Sequence, residues 1–149
     1  FSPEEPGENG LTMIETFALI DELIKKPLQY LHVSLPDFYI NAYRGGDSEK
    51  PAIKQIHDRI NGKLPLIGVG NIYTADQINK ALNTGWSEFI ALGKTAIINP
   101  NIGNLILENR ENEIETELDL GRKDKYDLGE FLWNLAKEGH QLLPPLKKK

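Results

Sequence analysis

Two short segments of this 149-residue sequence pair glycine with a polar side chain: Gly68-Val69-Gly70-Asn71 and Leu92-Gly93-Lys94. Each closes an apolar run, Leu64-Pro65-Leu66-Ile67 in the first case and Phe89-Ile90-Ala91 in the second. Where a parallel strand hands over to a helix, glycine lets the backbone approach a ligand closely and turn its N–H groups outward. A helix start favours an anion at the same place. Asn71 adds an amide donor and Lys94 a positive charge, so the chemistry these residues suit is the binding of a phosphate. The alternative is that the glycines serve turns only, because a lone G-x-G is a weak signal. Two such ends on successive strands, the second with a lysine, strengthen the phosphate reading.

Other candidates carry less. His32 sits in a β-prone run between Leu31 and Val33, where it either contacts a ligand from the inside of a sheet or is a hydrogen-bonded core or interface histidine. His57 and His140 are expected at the surface. The sequence has no H-x-x-H, H-E-x-x-H, G-x-S-x-G or Walker pattern, so no metal ligands and no catalytic residues are assigned. The loop from Asp37-Phe38-Tyr39 through Tyr43-Arg44-Gly45-Gly46 is longer than usual between a strand and a helix. It is either a contact for substrate or partner, or a surface excursion.

The elements that position these residues follow one order. Residues 1–10 are rich in Pro, Glu and Gly and read as a loop. Thr12 and Glu15 make a capping box at a helix start, with Ile14, Phe17, Ala18 and Ile24 as its buried side and Pro27 closing it. Tyr30-Leu31-His32-Val33-Ser34 is the first strand. Pro51 opens a second helix with Ile53, Ile56 and Ile60 as its stripe and Asn61-Gly62 at its end. The apolar run over 64–69 fits a strand covered on both faces. Thr74 and Gln77 make a second capping box, Ile78, Ala81 and Leu82 the stripe, and Gly85 the stop. Glu88-Phe89-Ile90-Ala91-Leu92 is the third strand. Alternating helix and strand predicts a parallel sheet and an α/β fold.

After Pro100 the character changes. Ile102, Leu105 and Ile106 predict a short helix, residues 108–119 are acidic with Ile114 and Leu118 as anchors, and the acidic run reads as a solvated face. Leu128, Phe131, Leu132 and Leu135 predict a final helix, with Trp133 beside its stripe. We therefore expect a first region over 1–107 and a helical extension over 108–149 that packs on it.

Composition excludes several classes. The chain is 40% apolar and 26% charged, too apolar for disorder. It contains no cysteine, which rules out disulfides and zinc–cysteine sites and suits a reducing compartment such as the cytoplasm. No apolar run approaches the roughly twenty residues that span a bilayer, and no signal peptide is expected. A net charge of −5 argues against general nucleic-acid binding, which needs a basic face. The tail Lys147-Lys148-Lys149 reads as a solvated end. The chain opens Phe1-Ser2-Pro3 and its one methionine is Met13, so we expect a piece of something longer.

Taken together, the residues resemble the C-terminal part of the old yellow enzyme family of FMN-dependent NAD(P)H:flavin oxidoreductases. The resemblance rests on Phe1-Ser2-Pro3-Glu4-Glu5, Tyr30-Leu31-His32-Val33-Ser34, Pro65-Leu66-Ile67-Gly68-Val69-Gly70-Asn71 and Phe89-Ile90-Ala91-Leu92-Gly93-Lys94 with Asn99-Pro100. It covers about the first hundred residues. It implies a (βα)8 TIM barrel, of which this chain supplies about strands 6 to 8 with a helical C-terminal extension. It implies FMN as cofactor, its phosphate held at Gly70, Asn71, Gly93 and Lys94, and NADH or NADPH as reductant. The family usually has arginine where Lys94 stands, and lysine keeps the charge without the two-pronged fork.

The implied substrate is a small molecule, an activated alkene. The catalytic residues fall on earlier strands, so the piece alone is expected to be inactive. It is expected to associate with another copy or with the missing N-terminal half of the barrel. Two rivals stand beside this: a piece of another phosphate-binding barrel, an isomerase or aldolase, and a non-catalytic module that binds a phosphate ligand.

Overall fold

A computed structural model describes residues 10–148. The proline-rich opening, its Phe1-to-Glu5 motif and Lys149 lie outside the described residues. In chain order the elements are α1 (Met13–Leu23), β1 (Leu31–Ser34), α2 (Ala52–Ile60), β2 (Leu66–Val69), α3 (Ala75–Leu82), β3 (Phe89–Ile90), α4 (Lys94–Ile98), α5 (Ile102–Leu107) and α6 (Glu130–Lys137), with single 3-10 turns at Glu111–Glu113 and Lys123–Lys125. The three strands form one parallel sheet in the order β1-β2-β3, as the alternation of elements predicts for an α/β fold.

The chain divides into two compact units. One holds the chain up to Ile72 together with Ile78–Ala91; the other holds Tyr73–Gln77 and the chain from Leu92 onward.

In the first unit the local signals do what their chemistry requires. The Thr12 side chain accepts the Ile14 N–H, and Glu15 reaches back to the Thr12 N–H at 2.8 Å, completing the capping box. Pro51 caps α2, and Asn61 ends it in the left-handed conformation with φ 50°. Ile53, Ile56 and Ile60 are buried as the stripe predicts. At the start of the sheet Glu88 grips Leu66 twice: its N–H donates to the Leu66 carbonyl at 3.0 Å, and its carboxylate accepts the Leu66 N–H at 2.6 Å.

Several expectations are corrected. The buried side of α1 is Met13 and Ile20, whereas Ile14 is 64% exposed and Ala18 is exposed too. This helix is apolar on more than one side, so spacing alone does not choose its inner face. Contact with α2 chooses it, through Arg59, which donates to Asp21 at 2.7 Å and lies over the Phe17 ring. The β2 strand is not covered on both faces: Leu66 and Gly68 are buried while Ile67 and Val69 are half-buried. The third strand is two residues long, because hydrogen bonding to β2 runs out once the Ala91 N–H has reached the Gly68 carbonyl.

In the second unit the start of α3 shows the other capping box: the Gln77 N–H donates to the Thr74 hydroxyl at 3.2 Å, and the Thr74 N–H to the Gln77 side chain at 3.1 Å. The core there is Ile98, Leu118, Tyr126, Trp133, Ala136 and Leu143. Leu118 anchors the acidic stretch as expected, and its N–H and C=O bond to Pro145 and Lys147. The stretch is not solvated throughout. The Glu115 backbone is held by the buried Asn99 side chain at 2.7 and 2.8 Å, and its carboxylate accepts the Tyr126 hydroxyl at 2.9 Å. On α6 the expected order is reversed: Trp133 is 3% exposed and central, Phe131 is 75% exposed, and Leu132 is exposed as well.

Candidate functional site

The two glycine-ended segments lie where the sequence places them, each at the carboxyl end of a parallel strand, and they fall in different units. Gly70 and Asn71 follow β2 in the first. Gly93 and Lys94 follow β3 and open the second, with Gly93 capping α4 and Lys94 its first residue.

The glycines differ in what requires them. A Cβ on Gly70 would lie 2.6 Å from the Phe38 nitrogen, 2.7 Å from the Asp37 carbonyl carbon and 2.9 Å from the Leu35 oxygen. Gly70 is a glycine because the loop after β1 is pressed onto it. A Cβ on Gly93 would meet nothing within 4 Å among the described residues, so on that side its backbone is open to a ligand.

Asn71 has a left-handed backbone, φ 52°, a conformation that asparagine tolerates better than most residues. Its side-chain amide is already engaged, donating to the Asp37 carboxylate at 3.2 Å. What Asn71 leaves uncommitted is its backbone N–H, and the same is true of Gly93: neither N–H donates to a partner among the described residues. Lys94 is half-buried and has no ion-pair partner among the described residues. An unpaired backbone N–H is a donor that suits an anion, and the second segment adds a cation beside its own.

The loop after β1, read in the sequence as a contact or an excursion, is partly core. Phe38 is fully buried; it stacks on Trp86 with ring centroids 6.3 Å apart and meets Tyr39 edge-on at 5.1 Å. The Gly68 position accommodates it, since a Cβ there would come within 2.7 Å of the Phe38 ring. The Tyr39 hydroxyl is buried with no hydrogen-bond partner among the described residues. Burial, with the Asp37 charge beside it, raises its pKa above the usual 10. Further along the loop, Arg44 donates to the Gly10 carbonyl at 3.0 Å and its own carbonyl accepts the Met13 N–H.

The histidines do not join either segment. His32 is exposed on β1, on the same side as Ser34. His57 lies 3.6 Å from Glu88 and 3.8 Å from Asp58, near the opposite end of the sheet. His140 is exposed and accepts the Leu142 N–H at 3.3 Å. Among the described residues no three His, Asp or Glu side chains are grouped to hold a metal ion, and no helix is long and apolar enough to cross a membrane.

Asp37 is the site residue that pattern reasoning passes over. Its local signal is Asp-x-Tyr, in which one carboxylate oxygen accepts the N–H two residues on, here Tyr39 at 2.8 Å.

β1 has one open edge. Its Leu31 N–H donates to Pro65 and the Leu35 N–H to Val69, so the alternate groups of His32 and Ser34 point away from β2. No strand pairs with them among the described residues. Beside that edge α1, β1, the following loop and α2 line an apolar cavity of about 320 Å³ that opens to the surface, with walls that include Leu19, Ile20, Leu31, Val33 and Ile56.

Comparison with known proteins supplies a context for these features. Residues 1–113 match the model of the NADH:flavin oxidoreductase / NADH oxidase family. The chain is 41% identical over 132 residues to the probable NADH-dependent flavin oxidoreductase YqiG of Bacillus subtilis (strain 168), covering 89% of this chain and 35% of that protein. It is 28% identical over 138 residues to an NADH:acrylate oxidoreductase of Vibrio harveyi, covering 91% of this chain and 13% of that one. It is 24% identical over 139 residues to an NADH:fumarate oxidoreductase of Klebsiella pneumoniae (strain 342), covering 91% of this chain and 15% of that one. The chain thus spans about a third of the first relative's length and less of the other two.

Proposed function

The chain belongs to the NADH:flavin oxidoreductase / NADH oxidase family, and from that premise we propose that it is the C-terminal part of an FMN-dependent oxidoreductase whose flavin phosphate it holds. Gly70, Asn71, Gly93 and Lys94 are the residues we assign to the phosphate. The observation that carries this is the set of uncommitted donors at two successive strand ends, the backbone N–H groups of Asn71 and Gly93 with the Lys94 ammonium.

In this reading the three parallel strands are about strands 6 to 8 of a (βα)8 barrel, in which the last two strand ends commonly bind phosphate. Residues 1–107 form that portion and 108–149 the extension that packs on it. The open edge of β1 and the apolar cavity beside it favour cover by the N-terminal half of the barrel or by a second copy.

The chemistry that bound FMN would supply is hydride transfer between a reduced nicotinamide and an acceptor. NADH is the word common to the names of all three relatives, so we take NADH as the reductant. The acceptors named for two of them, acrylate and fumarate, are unsaturated carboxylates, which favours an activated alkene as substrate. This chain's own residues bind and orient. Lys94 balances the phosphate charge, the backbone donors fix its position, and no residue here is assigned a proton or hydride step.

The test is the flavin itself. The full-length protein is expected to purify yellow and to release FMN, and Lys94→Ala to weaken FMN binding while leaving riboflavin, which lacks the phosphate, unaffected. The 149-residue chain with added FMN is expected to give no NADH-dependent reduction of an enone. A colourless full-length protein that turned over a sugar phosphate would establish the isomerase or aldolase alternative instead.

A further inference from the structure

We infer that Asp37 is a positioning residue for phosphate binding: its carboxylate holds the Asn71 side chain and with it the left-handed backbone that keeps the Asn71 N–H uncommitted. The inference rests on the reading of Gly70 and Asn71 as a phosphate loop, and it adds a residue from a different loop.

Three hydrogen bonds join the loop after β1 to the end of β2 and the loop that follows it, and a fourth lies within the first loop. The Leu35 N–H donates to the Val69 carbonyl at 3.0 Å and the Phe38 N–H to the Gly70 carbonyl at 3.1 Å. Asn71 Nδ2 donates to Asp37 Oδ2 at 3.2 Å, and the Tyr39 N–H to Asp37 Oδ1 at 2.8 Å. One carboxylate therefore ties its own turn with one oxygen and the neighbouring loop with the other. Ionised, it only accepts, so it dictates which way the Asn71 amide faces. Glycine at position 70 lets the two loops close to this distance.

A negative charge beside an anion site has two opposed effects. Repulsion weakens phosphate binding, whereas holding Asn71 in a backbone conformation that L-residues rarely adopt strengthens it. The assignment of Asp37 as a positioning residue requires the second to exceed the first, so the sign of the effect decides the matter.

The experiment measures dissociation constants for FMN and riboflavin, by quenching of flavin fluorescence, in the full-length protein and in Asp37→Ala, Asp37→Asn, Asn71→Gly and Asp37→Ala/Asn71→Gly. Loss of one charge-assisted hydrogen bond in Asp37→Ala is expected to weaken FMN about five- to tenfold, with riboflavin unchanged. Asp37→Asn, which can still pair with a reoriented Asn71 amide, is expected to recover most of the loss. It also serves if the alanine variant does not fold. In the double variant Asp37→Ala is expected to add nothing to the loss from Asn71→Gly, because the two residues act as one unit. An unchanged ratio of FMN to riboflavin affinity, or tighter FMN binding, in Asp37→Ala or in Asp37→Asn standing in for it overturns the proposal. Lys94→Ala separates the two levels: if it lowers the ratio and Asp37→Ala does not, only the role of Asp37 fails, and if it leaves the ratio unchanged the phosphate site itself fails.

Discussion

Phe38 and Gly70 are in backbone contact: the Phe38 N–H donates to the Gly70 carbonyl at 3.1 Å, and a Cβ on Gly70 would lie 2.6 Å from the same nitrogen. Neither neighbour can yield, because the obstructing atoms belong to the main chain of a loop whose Phe38 ring is fully buried. Gly70→Ala is accordingly expected to destabilise the protein by about 2–3 kcal/mol. Gly93→Ala, whose methyl meets nothing within 4 Å among the described residues, is expected to cost less than about 1 kcal/mol while lowering FMN affinity. Denaturant midpoints of the two variants check this; equal midpoints would remove the steric distinction.

Asn71 separates backbone strain from side-chain bonding. Its φ of 52° disfavours any residue with a Cβ, so Asn71→Ala loses the bond to Asp37 and keeps the strain, whereas Asn71→Gly loses the bond and relieves it. Asn71→Gly is expected to be about 1 kcal/mol more stable than Asn71→Ala. The difference is read from urea unfolding at neutral pH, and the opposite order would show that Asn71 leaves the left-handed region in solution.

The Asp21–Arg59 pair joins α1 to α2, and the hydrogen bond from Arg59, then its charge, holds the Asp21 carboxyl below its ordinary value of 3.8. A carboxyl depressed in the folded state contributes stability that is complete above the unfolded value and is lost as pH falls through the lower folded one. Asp21→Asn is therefore expected to lower the melting temperature at pH 7. The gap to the parent narrows below pH 3.8 and closes in stronger acid. A gap independent of pH would mean that the pair contributes packing and not charge.

On α6 the exposure values separate two aromatic residues two positions apart. Trp133 stacks on Tyr126 with centroids 6.3 Å apart and is 3% exposed, while Phe131 is 75% exposed. Trp133→Ala is expected to cost about 3–5 kcal/mol and Phe131→Ala to stay within about 0.5 kcal/mol of the parent. Similar losses at both positions would place a covering surface over Phe131.

The two capping boxes, Thr12 with Glu15 and Thr74 with Gln77, were legible because each is complete within four residues. The stripe of α2 was legible because only one side of that helix is apolar. The stripes of α1 and α6 were not, since apolar residues such as Ile14, Leu19 and Phe131 lie outside the buried face as well as in it. At the candidate site the type and position of Gly70, Asn71, Gly93 and Lys94 could be read from the chain. The different reasons for the two glycines could not, nor could Asp37, whose partner Asn71 is 34 residues away.

By itself the sequence determined the order of helices and strands, the parallel sheet that this order imposes, and the two strand ends where glycine, asparagine and lysine collect. Those follow from interactions a few residues long and from the handover between strand and helix. Tertiary structure alone decided that Gly70 yields to the loop after β1 while Gly93 stays open, that the Asn71 side chain is committed to Asp37, and that Trp133 rather than Phe131 faces inward. Each of these depends on which distant segment arrives against a residue, and a pattern of residue types does not contain that distance.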